Sequence, residues 1–324
     1  MSKACFVLLF LLGSLFYLTG CNTNETASYP TSPTSSTSLR IVAGSENKTL
    51  QPLFDRFAAE NNVTLTVDYR GSVDIMLLLS SSQVEYDAVM PANSLWLTLG
   101  DKQKRTREMQ SIYWSPVVLG VKESLAQQLG WVNKTEVRVE DILKASEAGK
   151  LRYMVTSATQ SNSGASAYLG NLYAFAGKPQ MLTSADLNKP SLQAKIKRLY
   201  SAVNRSAGSS GFLKDLFLNK YEQYDAMMNY EAVIIETNRE LTAQGKEPLY
   251  VVYPSDGLAI ADAPLAYVDQ GNADTLVTFK KLQAFLLSEP IQKEVLALGR
   301  RIAPVGSGHQ TPIKRSSIRL GVSA

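Results

Sequence analysis

Two kinds of side chain that carry much of protein chemistry are nearly missing from this sequence. Its 324 residues hold two cysteines, Cys5 and Cys21, and one histidine, His309. A zinc centre built on Cys and His side chains therefore has no ligand set. Hydrolysis by a serine usually needs a positioned histidine base, and His309 lies in a polar, basic tail. These gaps point away from an enzyme, and nothing in the sequence calls for a cofactor. Charge of one sign is scarce too: 33 basic against 29 acidic residues leave a formal charge of +4, dispersed along the chain. No basic stripe with interleaved aromatics is present, which argues against a nucleic-acid partner. After residue 20 there is no long apolar run, so no membrane-spanning helix is expected there.

The first residues carry an address. A short polar start with Lys3 leads into an apolar stretch, Phe6 to Tyr17, and then into Leu18-Thr19-Gly20-Cys21. This is the layout of a signal peptide over residues 1–20. Its apolar part, about a dozen residues, is too short for a bilayer that needs roughly twenty. Leu18-Thr19-Gly20-Cys21 resembles the bacterial lipobox, and the resemblance implies a diacylglycerol on the sulfur of Cys21. An ordinary secretory signal with an incidental cysteine is the alternative. On either reading Cys5 leaves with the signal, so Cys21 has no thiol to pair with. Two acyl chains anchor stably where one holds only marginally. Asn22 stands where some inner-membrane lipoproteins carry Asp. The expected location is extracytoplasmic, on the cell membrane, or on the outer membrane or periplasmic face in a Gram-negative cell. From residue 22 to 38 the chain is rich in Ser, Thr and Pro with no Leu, Ile or Val. Such a segment cannot bury enough apolar surface to fold, and residues 21–38 read as anchor and tether.

Strand-like and helix-like segments then alternate. Leu39 to Ala43 is a short apolar run, and Leu50, Leu53, Phe54, Phe57 and Ala58 follow at the spacing of one helix face. Val63 to Tyr69 reads as a strand, the stretch after Gly71-Ser72 as a helix, and Tyr86 to Met90 as a third strand. The pattern predicts an α/β fold with mostly parallel sheets flanked by helices. Further on, 139–148, 165–176, 193–203, 212–218 and 232–242 read as helices, with 151–155 and 225–230 as strands. The stretch 112–121 is too long for one ordinary strand and holds Pro116, so it reads as two strands meeting at a crossover. A second extended stretch near 250–258 is read as the return crossover. Residues 39–115 with 255–305 are then expected to build one lobe, 116–254 the other, and 306–324 a polar tail. A cleft between such lobes is a common ligand site.

Several ordered motifs resemble the type II extracellular solute-binding protein superfamily, the receptors of ABC importers. They are Ile41-Val42-Ala43-Gly44-Ser45 with Pro52-Leu53-Phe54, Tyr69-Arg70-Gly71-Ser72, Tyr86-Asp87-Ala88-Val89, Ser161-Asn162-Ser163-Gly164 and Pro290-Ile291-Gln292. The likeness covers roughly residues 39–305 and is nearest the phosphate, sulfate and molybdate binders. It implies a two-lobed, periplasmic-binding-protein-like fold, a monomer, an ABC permease as partner and a small oxyanion as ligand. An envelope interaction or sensor lipoprotein that keeps the fold without transport is the alternative.

Helix N-termini offer free N–H groups and partial positive charge, which favour anions. Four places offer this chemistry: three with small hydroxyl residues, the Ser45, Glu46 and Asn47 loop, Ser72, and the Ser161, Asn162, Ser163 and Gly164 turn, and a fourth, Tyr230 with Glu231, at a strand end where an open sheet places its crevice. Asn93 and Ser94, after the third strand, are weaker candidates. Plain capping or core packing explains each of them equally simply. Arg70 could fork an anion but reads better as a surface residue. Glu46 and Glu231 dissent, because a carboxylate in an anion cleft repels the ligand unless it accepts a proton from it. No metal site is expected.

Overall fold

A computed structural model describes residues 37–303. The signal segment, Cys21, most of the tether, and His309 with the rest of the tail lie outside the described residues. The first part runs β1 (Ser38–Gly44), a 3-10 turn (Ser45–Leu50), α1 (Gln51–Asn61), β2 (Thr64–Arg70), α2 (Ser72–Ser80), β3 (Ala88–Met90), α3 (Leu95–Gly100) and β4 (Thr106–Ser111). The middle part begins β5 (Ser115–Lys122), α4 (Glu123–Gln128), α5 (Val139–Glu147), β6 (Tyr153–Thr156), α6 (Asn162–Phe175) and α7 (Ser184–Leu187). It continues with α8 (Pro190–Ser201), β7 (Val203–Ala207), α9 (Ser210–Asn219), β8 (Ala226–Tyr230), α10 (Glu231–Ala243), β9 (Leu249–Val252) and β10 (Ala259–Ala261). Last come β11 (Pro264–Val268), α11 (Ala273–Leu287) and α12 (Glu289–Ala297).

These elements form two sheets, one in each lobe. The first has the order β2-β1-β3-β11-β4 and the second β10-β5-β8-β6-β7, with β9 also on β5. Each has a parallel centre, β2-β1-β3 in the first and β8-β6-β7 in the second. In the first sheet β11 pairs antiparallel with β3 of that centre and β4 antiparallel with β11; in the second β5 pairs antiparallel with β8 and β10 antiparallel with β5. Both sheets are therefore mixed.

Strand periodicity builds the cores. In β1, Leu39, Ile41 and Ala43 pack into one apolar cluster with α1 and α11, while Val42 faces the opposite layer with Ile75 and Leu79 of α2. In β8, Ala226, Met228 and Tyr230 face one side and Met227 the other, where Leu213 and Phe217 of α9 cover it. A strand buried on both faces loses the alternating pattern of a one-sided sheet and reads as a continuous apolar run. Each such Leu, Ile or Phe contributes about 1.5–3 kcal/mol by leaving water.

Two expectations change. Pro116 does not divide two strands: β5 is one strand from Ser115, and Pro116 lies near its start, opposite Ile260 of β10, before the ladder with β8 begins at Val117. The actual crossing is residues 112–114, between β4 and β5. The strand at 259–261, expected with the outer portion, belongs to the sheet of the middle portion, so the chain returns at residues 262–263. The two crossing segments touch, with Ile112 N donating to Ala263 O at 3.1 Å. Among the described residues, no helix is long and apolar enough to cross a membrane.

Candidate functional site

Helix starts from both lobes meet in the cleft. In the first lobe β1 ends at Gly44 and the chain turns tightly into the 3-10 segment that carries Ser45, Glu46 and Asn47, all buried. Pro52 follows in the first turn of α1, where its missing N–H costs nothing. The loop expected around Ser45 is thus a helical turn. Its Ser45 Oγ accepts the N–H of Gly211, in the first turn of α9 in the other lobe, at 3.0 Å. A helix N–H of one lobe is here satisfied by a hydroxyl oxygen of the other, which is the place an anion oxygen can take.

The second contact is closer. Gly71 precedes α2, and a Cβ on it would stand 2.4 Å from Gln160 O and 3.1 Å from Gly208 O, both in the opposite lobe. Only the absence of a side chain lets these backbones meet. The adjoining Ser72 is buried, and its Oγ accepts Ala92 N–H at 3.0 Å. A third link crosses through Asn162, which opens α6. Its Oδ1 accepts Trp96 Nε1–H of the first lobe at 2.7 Å and Ser166 Oγ–H at 3.2 Å, and its Nδ2 donates to Tyr230 OH at 2.9 Å.

Behind these contacts the starts of α6 and α9 share a chain of hydroxyls. Thr156 Oγ1 and Ser163 Oγ are 2.7 Å apart, Ser163 and Ser210 2.8 Å, and Ser161 stands 3.3–3.4 Å from both serines. Each hydroxyl can donate or accept, so the chain can reorient to present donors. Ser209, the residue before α9, is buried and its Oγ has no hydrogen-bond partner. A buried orphan hydroxyl at a helix start is a donor ready for a bound group.

A cavity of about 10 Å³ is bordered by Glu46, Tyr113, Ser115, Tyr230 and Arg300. It has room for about one water molecule. Arg300 is 2% exposed and follows α12. Its Nη2 donates to Glu46 O at 2.7 Å and Thr49 Oγ1 at 2.6 Å, the guanidinium lies 5.1 Å over the Tyr113 ring, and Nε is unpartnered. Tyr113 OH donates to Asn47 Oδ1 at 2.6 Å. Burial pushes the Glu46 carboxyl up to about 7, against the pull of its own backbone N–H and of Arg300. The Tyr230 hydroxyl is held well above its ordinary range, first by burial and then by Glu46.

Of the residues expected at the site, Ser45, Glu46, Asn47, Ser72, Ser161, Asn162, Ser163 and Tyr230 are brought together in this buried zone. The rest have other work. Glu231 opens α10, but its carboxylate takes both forks of Arg301, at 2.7 and 2.8 Å, and a short hydrogen bond from Tyr253 OH. Asn93 and Ser94 tie the start of α3 to β10 and to the return segment, Asn93 Nδ2 donating to Ile260 O and Ser94 N–H to Asp262 Oδ1. Gly164 gives α6 room to pack on β6, since a Cβ there would meet Thr156 O at 2.2 Å. Arg70 is exposed at the end of β2. Ser45 and Lys48 have the Ser-x-x-Lys spacing of some hydrolases, but Lys48 is exposed while Ser45 is buried. Among the described residues no group of three or more His, Cys, Asp or Glu is placed to hold a metal ion.

Trp96, Tyr113, Ser209, Ser210 and Arg300 were not expected at the site. Gly208-Ser209-Ser210-Gly211 has the same small-residue composition as the Ser161 turn, so a signal was present. Arg300 had none, because it reaches the cleft from the far end of the chain.

Comparison with known proteins bears on the family and the fold. Residues 39–299 match a family described as bacterial extracellular solute-binding protein. No curated protein matches the chain significantly. Among solved structures, the sulfate-binding protein SubI from Mycobacterium tuberculosis H37Rv is similar with a TM-score of 0.62 and 18% identity, over 83% of this chain and 88% of that one. The periplasmic binding protein AfuA from Actinobacillus pleuropneumoniae, with fructose-6-phosphate bound, has a TM-score of 0.62 and 12% identity, over 86% and 88%. The periplasmic molybdate-binding protein of Azotobacter vinelandii has a TM-score of 0.55 and 13% identity, over 82% and 100%. At these identities the likeness is one of fold.

Proposed function

This chain belongs to the bacterial extracellular solute-binding proteins, a family of binding proteins rather than enzymes, and from that premise we propose that it captures a small oxyanion and delivers it to an ABC importer. The observation that supports the ligand class is the convergence of helix starts from both lobes on one buried zone, with Ser45 of one lobe bonded to the first turn of α9 in the other. Backbone N–H groups and serine hydroxyls are donors, and donors with helix-end polarity favour an anion. Capture then follows from the hinge: an anion seated on one lobe gains contacts from the second only when the lobes meet, so binding favours the closed form that a permease partner would read.

A thermal-shift panel of sulfate, phosphate, molybdate, amino acids and polyamines tests the ligand class. At least one oxyanion should raise the melting temperature, by several degrees at concentrations about a hundredfold above Kd. A panel in which no oxyanion stabilises the protein would sink the reading in favour of an envelope interaction or sensor role.

We further infer that the domain is held near a membrane by a lipid on Cys21, with residues 22–38 as the tether. The supporting sequence is Leu18-Thr19-Gly20-Cys21 after the apolar stretch. Cys21→Ser should release the protein from the membrane fraction and leave ligand binding intact. Retention of the variant in membranes would refute the anchor.

A further inference from the structure

We propose that Glu46 makes capture in this cleft proton-linked, its carboxyl group taking up a proton as the anion enters, so that affinity falls as pH rises. The inference rests on the anion-binding reading above and names a control on that same site.

The geometry sets Glu46 apart from an ordinary structural carboxylate. Its side chain folds back over the end of β1, where a Cβ on Gly44 would stand 2.0 Å from its Oε1. It borders the interlobe cavity and is 8% exposed. Its hydrogen bonding is thin: Asn47 Nδ2 reaches Oε1 only at 3.5 Å, and its own backbone N–H supplies the other stabilising contact. Arg300 stands beside it without pairing. The guanidinium spends Nη2 on the backbone carbonyl of Glu46 and on Thr49 Oγ1, and no salt bridge joins the two side chains. A carboxylate so placed loses its hydration without a full partner in exchange, and the neutral acid is favoured.

The titratable groups that face it come from several elements. Arg300 approaches from beyond α12, Tyr113 from the first crossing segment, and Tyr230 from the end of β8. Lys48, on the same turn, is exposed. Glu231, at the start of α10, is turned to Arg301. Among the described residues the cation against Glu46 is Arg300, and burial outweighs its pull, leaving the carboxyl near pH 7 in its balance between acid and carboxylate.

An anion brought into the same water-poor space adds negative charge and favours the neutral acid still more. Linkage is reciprocal, so the protonated acid must bind the anion more tightly than the carboxylate does. As a neutral acid Glu46 also gains an O–H that can donate to the anion. Above about pH 7 the proton has to be taken from solvent on binding, and affinity should fall toward about tenfold per pH unit.

Sulfate is the probe, because its own charge does not change over the range used. Titration calorimetry from about pH 6 to about pH 8.5 should show sulfate affinity falling by about tenfold or more. Titrations near pH 7.5 in two buffers of different ionisation enthalpy should show net proton uptake on the wild-type protein, a measurement that needs no variant. Glu46→Gln should bind sulfate with an affinity that no longer depends on pH. Sulfate binding that is flat with pH and takes up no proton would overturn the proposal while leaving the anion receptor standing. Failure of sulfate, phosphate and molybdate to bind even at about pH 6 would overturn both.

Discussion

Glu46 also links the site to the stability of the whole chain. Its carboxyl is raised from 4.5 to about 7 on folding, with burial as the largest cause. Below the unfolded value both states hold the proton and the residue contributes nothing to pH dependence. Between the two values the folded state holds more protons than the unfolded one, so stability falls as pH rises. Above about 7 the loss is complete, and the shift corresponds to about 3 kcal/mol. Gln keeps the shape and a polar end but does not titrate. Glu46→Gln should therefore gain melting temperature relative to wild type as pH goes from about 4.5 to about 8, by several degrees across that window. Melting curves of the two proteins at both pH values decide it, and a difference that stays constant with pH would show that the carboxyl is not strained by burial. The proposed binding site thus holds a group that costs stability at neutral pH, which is where such costs are usually found.

At the scale of elements, some of this architecture was plain in the chain and some was hidden for a physical reason. β1, β3 and β8 are short and buried on both faces, so they stand out as apolar runs between polar turns. α1 shows its face through Leu53, Phe54 and Phe57, buried as the spacing required, with Leu50 buried in the turn just before it and Ala58 half-buried. β7 was missed. Val203-Asn204-Arg205-Ser206-Ala207 lies at a sheet edge with its centre exposed, so neither an apolar run nor an alternation marks it. Val203 reads as the end of a helix over 193–203 and Asn204 to Ala207 as no element, which hides the turn that follows, and with it Ser209 and Ser210. The Ser45, Ser72 and Ser161 turns were legible because each follows a recognisable strand and opens a helix. What sequence could not supply was direction. Glu231 begins a helix at a strand end and Glu46 stands second in a turn at another, yet one side chain is drawn to Arg301 and the other borders the cleft cavity. The partner that draws Glu231 away lies 70 positions on in the chain, beyond the reach of any local pattern.

At the scale of the molecule, distance from the hinge decides what a contact does. Near the hinge, Arg301 exchanges both backbone hydrogen bonds with Trp114 of the first crossing segment and grips Glu231 of the other lobe. A contact near the axis moves little when lobes rotate, so it supports open and closed forms alike. Gly71 meets Gln160 and Gly208 across the cleft, and such a contact exists only when the lobes are together. The two sites should separate stability from closure. In Arg301→Gln the Glu231 carboxylate, with 3% of its side chain exposed, loses a bidentate partner that is itself 30% exposed. The cost should be about 1–3 kcal/mol after solvent screening of the arginine, with oxyanion affinity held within about twofold. In Gly71→Ala the backbone, at φ −71° and ψ 148°, accepts alanine without strain, but the new Cβ would lie 2.4 Å from Gln160 O in the closed form. Its melting temperature without ligand should change little, while affinity falls by about tenfold or more as closure is obstructed. Calorimetric melting and oxyanion titration of the two variants settle the matter. Should Arg301→Gln lose affinity at unchanged stability, the ion pair would belong to the closing surface, and the hinge would have to be sought elsewhere.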